Sequence, residues 1–268
     1  MRWRRQAPEI CGDLSATIGN TPLLRLARAS ERAGATILGK AEFMNPGGSG
    51  TDRAALYIVR DAERRGLLRP GGLVVSGASG PMGGSLALVA QARGYRVRLV
   101  APAEAAKLAE RLAASEPNGV LLANPWDDRA NRQSHYETTG PELWRQSGGR
   151  LDAFVCSVET GGTLAGVGAY LRERSRRVRI VVAEPLGAAA RVTGNLAGAH
   201  RDGSCSVSPE ELDAARRELL HGEGLALGPV SALHVAAALR IGRELGPGHA
   251  VATLLCDAEP QSARIHAL

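Results

Sequence analysis

The chain has 268 residues, 44% of them hydrophobic and 22% charged, with a formal net charge of +6. That length can bury a large core and suits two compact lobes or one large α/β domain, and the balance of apolar and charged residues excludes global disorder. No apolar run approaches the ~20 residues that cross a bilayer, and with aromatics at 3% and the arginines scattered over helices, a nucleic-acid surface is not expected.

The lead Met1-Arg-Trp-Arg-Arg5 is basic but no apolar stretch follows it, so no signal peptide is expected and the chain reads as cytoplasmic. Ile18 to Leu26 reads as a turn and a short extended segment, and Thr36 to Phe43 as a strand. A punctuated turn follows at Asn45-Pro-Gly-Gly-Ser-Gly50, and an apolar period predicts a helix over Thr51–Arg65, closed by Gly66. Leu73–Ser76 is a buried-type strand, then a glycine-rich turn opens a helix that runs to Arg93. Arg96–Val100 (strand), Ala103–Ala114 (helix) and Val120–Ala123 (strand) continue a βαβ rhythm that argues for a parallel sheet. A long helix contains His135 to Trp144. Asp152–Ser157 is a strand, Gly161–Arg174 a helix and Val178–Ala183 a strand. Gly187–Ser208 reads as a loop, and helices Pro209–His221 and Pro229–Leu245 with strand Ala250–Leu255 complete the pattern. The four cysteines, Cys11, Cys156, Cys205 and Cys256, show no CxxC or metal-ligand spacing, so no metal is expected.

The turn before the first long helix, Asn45-Pro-Gly-Gly-Ser-Gly-Thr51-Asp-Arg53, is the stretch around which the rest is organised. Helix N-termini of this kind bind anions, because their first amides have no carbonyl partner inside the helix. Together with Ile18-Gly-Asn-Thr-Pro-Leu-Leu-Arg-Leu26, Asp61 to Gly72, Thr138-Thr-Gly-Pro-Glu-Leu-Trp144, Thr160-Gly-Gly-Thr163 and Ala183-Glu-Pro185, it resembles the cysteine synthase family. That family uses pyridoxal phosphate (PLP) on the fold shared with tryptophan synthase β subunits. The resemblance implies an α/β two-domain PLP fold type II, with parallel sheets flanked by helices. A large domain of residues 1–42 plus 136–268 and a shortened, mobile small domain of residues 43–135 are expected, with the cofactor cleft at their junction.

The departures from the family pattern fall at that cleft. Where the family has the lysine that anchors PLP as a Schiff base, this chain has Thr51, whose hydroxyl cannot form an imine. The only lysines are Lys40 and Lys107, the first at a position where the family keeps a structural lysine. The loop that grips the substrate carboxylate in the family appears as Ser79, Gly80, Pro81 and Met82, with a proline that removes an amide donor and a methionine in place of a hydroxyl. The phosphate cup is kept as Thr160, Gly161, Gly162 and Thr163, with Glu159 at its rim, either facing the anion or turned outward. Ala258, within Cys256-Asp-Ala-Glu-Pro260, stands where a serine meets the pyridine nitrogen. The resemblance also implies that, relative to the family, chain is missing between Pro102 and Lys107 and after His200.

These substitutions together lead to the expectation of a pseudoenzyme that has lost PLP chemistry, uses no cofactor and binds a partner protein or small anionic ligand at the old cleft. A homodimer, a heterodimer with an active paralogue and capture of a partner's C-terminal tail are the expected associations. One alternative is a PLP-independent enzyme drawing on Ser49, Thr51, Asp52, Ser79, Glu159, Ser231, Cys256 and His135. The other is residual PLP-dependent synthase or lyase activity on an O-substituted serine or cysteine.

Overall fold

The computed structural model describes residues 10–188 and 192–258; Met1–Arg5 and Glu259–Pro260, which entered the sequence reading, lie outside them. In chain order the described elements are β1 (Leu23–Arg25), α1 (Ala27–Ala33), β2 (Thr36–Lys40), α2 (Thr51–Arg64), β3 (Leu73–Ser76), α3 (Gly80–Ala92), β4 (Arg96–Leu99), α4 (Pro102–Ala113) and β5 (Val120–Ala123). They continue with α5 (Arg129–Ser134), α6 (Gly140–Gln146), β6 (Ala153–Cys156), α7 (Gly162–Arg174), β7 (Arg179–Pro185), β8 (Gly203–Val207), α8 (Pro209–Arg217), α9 (Pro229–Leu245) and β9 (Ala250–Leu254). A six-stranded sheet has the order β1-β2-β9-β6-β7-β8, and a three-stranded sheet the order β4-β3-β5. Every pairing is parallel except β1 with β2. The expected α/β architecture of parallel sheets flanked by helices is therefore present.

The strands at the sheet centres are the ones with continuous apolar text. All residues of β3 and β6 are buried, because helices cover both faces of a parallel sheet. Helix α2 packs Ala54, Ala55, Ile58, Val59 and Ala62 onto the small sheet's core beside Leu86 and Val89 of α3. Between β4 and α4 the chain has only Val100 and Ala101, so the small sheet stops at three strands. No helix among the described residues is long and apolar enough to cross a membrane.

Four local features differ from the sequence reading. The segment Gly187–Ser208 contains β8, an edge strand whose Gly-Ser-Cys-Ser-Val text has little β propensity; it forms because β7 offers an open edge, and it buries Cys205 and Val207. Helix α1 (Ala27–Ala33) fills the stretch between Leu26 and Thr36, for which the sequence carried no expectation. The strand β2 ends at Lys40 rather than Phe43, because Glu42 opens a 3₁₀ turn whose backbone carbonyl accepts from Asn45 Nδ2 at 2.9 Å. The helix around His135 does continue through α5 and α6, but with a π-helical turn over His135–Thr139.

A buried charge network joins these parts. Arg53, in the first turn of α2 and 1% exposed, donates to Glu42 from Nε and Nη2 at 2.8 Å each, and to Glu142 of α6 from Nη1 and Nη2 at 2.8 Å each. Lys40 Nζ lies 2.6 Å from Glu142 and donates to the Thr21 carbonyl at 2.6 Å. Burial alone would raise the Glu42 carboxyl, but the Arg53 guanidinium, with hydrogen bonds from Arg53 and Thr21, lowers it to about 2. The stability tied to this shift is full above the ordinary carboxylate pKa and is lost as pH falls from about 4.5 towards 2. Replacing Arg53 by Met strands two buried carboxylates and should cost about 3–5 kcal/mol in urea-denaturation experiments at pH 7. Glu42→Gln should remove most of the acid-dependent loss between pH 4.5 and 2 in the same measurement, a term of about 3 kcal/mol.

Candidate functional site

One cleft collects most of the residues singled out from the sequence. The first turns of α2 and α3 supply Thr51, Pro81 and Met82, and the opposite wall comes from the C-terminal ends of β6 and β9 and the start of α7, including Ser157, Thr160 and Asp257. Carboxyl ends of parallel strands are where open α/β sheets gather their ligands, since the strands stop there and the following helices begin.

Thr160, Gly161, Gly162 and Thr163, read from the sequence as a phosphate cup, lie at the start of α7. Gly161 adopts φ 82°, and a Cβ there would meet Thr193 Oγ1 at 2.8 Å; on Gly162 it would overlap Asn131 Oδ1. Only glycine admits this approach. Asn131 Nδ2 donates to Thr160 Oγ1 at 3.0 Å, which leaves the Thr160 proton for a ligand. His135 Nε2 lies 3.2 Å from Thr163 Oγ1, and its Nδ1 lies 2.9 Å from Thr139 Oγ1. Burial holds the His135 imidazole down at about 4, so it is neutral at physiological pH. In the tautomer protonated at Nε2, His135 donates to Thr163 and frees that hydroxyl's proton for an anion. Glu159 is exposed at the rim.

The aldehyde end of the cleft is different in kind. Thr51 Oγ1 lies 2.8 Å from Ser85 Oγ, and Ser85 donates to Asp52 Oδ1 at 2.5 Å. Asp52 is fully buried and also accepts from the Gly47 amide at 2.6 Å. Burial raises its carboxyl, against the hydrogen bonds from Ser85 and Gly47. When Asp52 is ionised it can only accept, so the hydroxyl protons run in one direction, from Thr51 to Ser85 to Asp52. No lysine lines this cleft: Lys40 is buried in the Glu142 network and Lys107 is exposed on α4.

Elsewhere the wall has turned apolar or inward. Of the former carboxylate loop, Met82 is buried in the cleft wall, Pro81 is exposed at its edge, and Ser79 and Gly80 are exposed at the start of α3. Ala258 presents no hydroxyl and its backbone bridges Leu227. Asp257 instead caps α9, accepting from the Val230 amide at 3.1 Å and the Ser231 amide at 2.9 Å, and from the Ser231 hydroxyl at 2.5 Å. Ser49 is buried beside Thr51, its Oγ 3.1 Å from Thr51 Oγ1. Cys256 Sγ sits 3.8 Å from His234 Nδ1, and burial pushes its thiol pKa well up, so it is a thiol and not a thiolate.

Two hydroxyl pairs in this cleft escaped the sequence reading. Ser85 reaches Thr51 and Asp52 from the middle of α3, and Ser157 Oγ lies 2.9 Å from His234 Nε2 on α9, across 77 residues of sequence. No local signal marks either pair, because each partner sits alone in text that reads as core.

The residues present fit PLP at one end only. Two threonine hydroxyls and the opening amides of α7 would suit its phosphate, whereas at Thr51 the cleft offers hydroxyls where a covalent anchor would need an amine.

The sequence profile of the family described as "Pyridoxal-phosphate dependent enzyme" matches residues 14–112 and 102–257. Cysteine synthase 1 of Neurospora crassa is 40% identical, covering 94% of this chain and 82% of its own, and cysteine synthase B of Salmonella typhimurium is 34% identical over 91% and 92%. Among solved structures, an O-acetylserine dependent cystathionine β-synthase from Helicobacter pylori superposes with TM-score 0.80 at 26% identity, covering 94% of this chain and 96% of its own. An O-ureido-L-serine synthase superposes with TM-score 0.82 at 31% identity, over 97% and 95%. These matches overturn the expectations of a pseudoenzyme, of a chain that is not an enzyme and of a site without cofactor. Those expectations counted Thr51, Pro81, Met82 and Ala258 as losses, whereas Thr51 is joined through Ser85 to the buried Asp52 carboxylate. The fold is that of PLP fold type II. The chain belongs to the pyridoxal-phosphate dependent enzyme family, among the cysteine synthases and their relatives.

Proposed function

We propose that this chain is a cytoplasmic, homodimeric enzyme acting on an O-substituted serine or cysteine, and that it holds PLP through the phosphate without a covalent bond to the protein. The observation that carries this reading is that Thr160, Gly161 and Thr163 line the same cleft as Thr51, behind which Ser85 and the buried Asp52 continue a hydrogen-bond chain. In the division we propose, residues 43–135 form a smaller, mobile part carrying the relay, and 1–42 with 136–268 the part carrying the cup. Similarity to an O-acetylserine dependent cystathionine β-synthase and to an O-ureido-L-serine synthase supports a serine carrying a leaving group on its oxygen.

When bound, PLP supplies an electron sink that makes the α-proton of an attached amino acid acidic. The chain does the remaining work. Thr160 and Thr163 would hold its phosphate with their hydroxyls, together with the opening amides of α7. Thr51 offers a hydroxyl and no amine, so it would not anchor the cofactor covalently. A proton reaching Thr51 Oγ1 can pass by hydroxyl exchange through Ser85 Oγ to Asp52 Oδ1, whose raised affinity for a proton follows from its burial. Met82 and Leu164 line the wall and keep water from the reacting carbon.

Titrating purified protein with PLP, followed by cofactor fluorescence, should give saturable binding, while borohydride should leave no pyridoxyl adduct on Lys40 or Lys107 by mass spectrometry. Thr160→Val should weaken that binding by about 10-fold or more, the effect of one hydrogen bond to a charged group. With PLP present, turnover of O-acetylserine and sulfide should fall by about 100-fold in Ser85→Ala, with PLP affinity unchanged. Absence of saturable PLP binding would overturn the reading.

A further inference from the structure

We propose that Ser157 and His234 form a nucleophile and general-base pair that hydrolyses small acyl esters in this cleft, an activity that needs no cofactor. Ser157 follows directly after β6 and lines the cleft, as does His234. The tautomer of His234 is settled by its partners. Its Nδ1 lies 2.9 Å from the Leu254 carbonyl, which can only accept, so Nδ1 carries the proton and Nε2 is bare. Nε2 then accepts from the Ser157 hydroxyl at 2.9 Å and from the Ser157 amide at 2.8 Å. The Leu254 carbonyl holds the ring as a triad carboxylate would, with less charge.

The imidazole is 2% exposed. Burial lowers its pKa, partly offset by the hydrogen bond to Leu254 and the charge of Asp257, so the ring is neutral and competent as a base at physiological pH. Cys256, the other titratable neighbour, is a thiol and does not compete.

The step balances without redox. Ser157 Oγ attacks the ester carbonyl carbon while its proton passes to His234 Nε2. The bond to the alkoxy oxygen breaks, that oxygen takes the proton from Nε2, and the acyl group stays on Oγ. Water then attacks the acyl carbon, gives a proton to Nε2, and the acid leaves as the proton returns to Oγ. The phosphate cup begins three residues after Ser157, so the favoured esters are small and carry a carboxylate or phosphate, with an O-acyl amino acid fitting both demands.

The test uses PLP-free protein, so that the outcome is separate from the cofactor reading above. With p-nitrophenyl acetate and with O-acetylserine, release of p-nitrophenol and acetate should exceed the buffer rate, and quenched samples should carry an acetyl group on the Ser157 peptide. Ser157→Ala and His234→Gln should each lower the rate by about 100-fold or more. The Ser157→Ala protein should keep its thermal midpoint, and the acid limb of kcat/KM should lie below pH 6.5, the ordinary imidazole value. A wild-type rate equal to buffer, or a Ser157→Ala rate within about twofold of wild type, would overturn the proposal.

Discussion

The structure depends on one buried guanidinium. Arg53 sits between the carboxylates of Glu42 and Glu142, with Lys40 on the far side of Glu142, so that two cations and two anions cancel where water does not reach. Unpaired, any one of them would be costly in that medium. Satisfied, they clamp the end of β2, the first turn of α2 and α6 into one arrangement. Thr51 and Asp52 are the two residues directly before Arg53, so the clamp also decides where the cleft's hydroxyl relay points.

That placement explains how a cleft can lose its amine and remain an ordered polar site. A threonine in place of a lysine would leave a void and an orphaned dipole if nothing else changed. Here Ser85 takes the hydroxyl's hydrogen bond and passes its own to a buried Asp52. On the opposite wall, Asn131 donates to Thr160 and the His135 ring lies within hydrogen-bond reach of Thr163. Ser157 and His234 meet beside them, brought together from the end of β6 and from α9.

Similarity to enzymes and the missing lysine pull in different directions, and the geometry reconciles them. The start of α7 is shaped by backbone conformation at Gly161 and Gly162, which side-chain substitution elsewhere in the cleft leaves in place. Thr51, at the position where the resemblance implies a lysine, is held in an ordered hydrogen-bond chain with Ser85 and Asp52.

Much of the fold was legible in the text. The apolar runs of β3, β6 and β9, the period of α2 and the Gly-Gly start of α7 are local signals, and each became the expected element. The strand β8 was not legible, because its reason to exist is the open edge of β7 and not its own residues. Among site residues, Thr51 and the cup could be read by position in known strings, yet reading Thr51, Pro81, Met82 and Ala258 only as losses led to a wrong conclusion about function. Ser85, Ser157 and His234 carried no signal at all. Local propensity and motif spacing, which act between near neighbours, therefore determined the architecture and the anion site. The hydrogen-bond partners that give the cleft its chemistry are chosen across up to 77 residues of sequence by packing, and only the tertiary structure decided them.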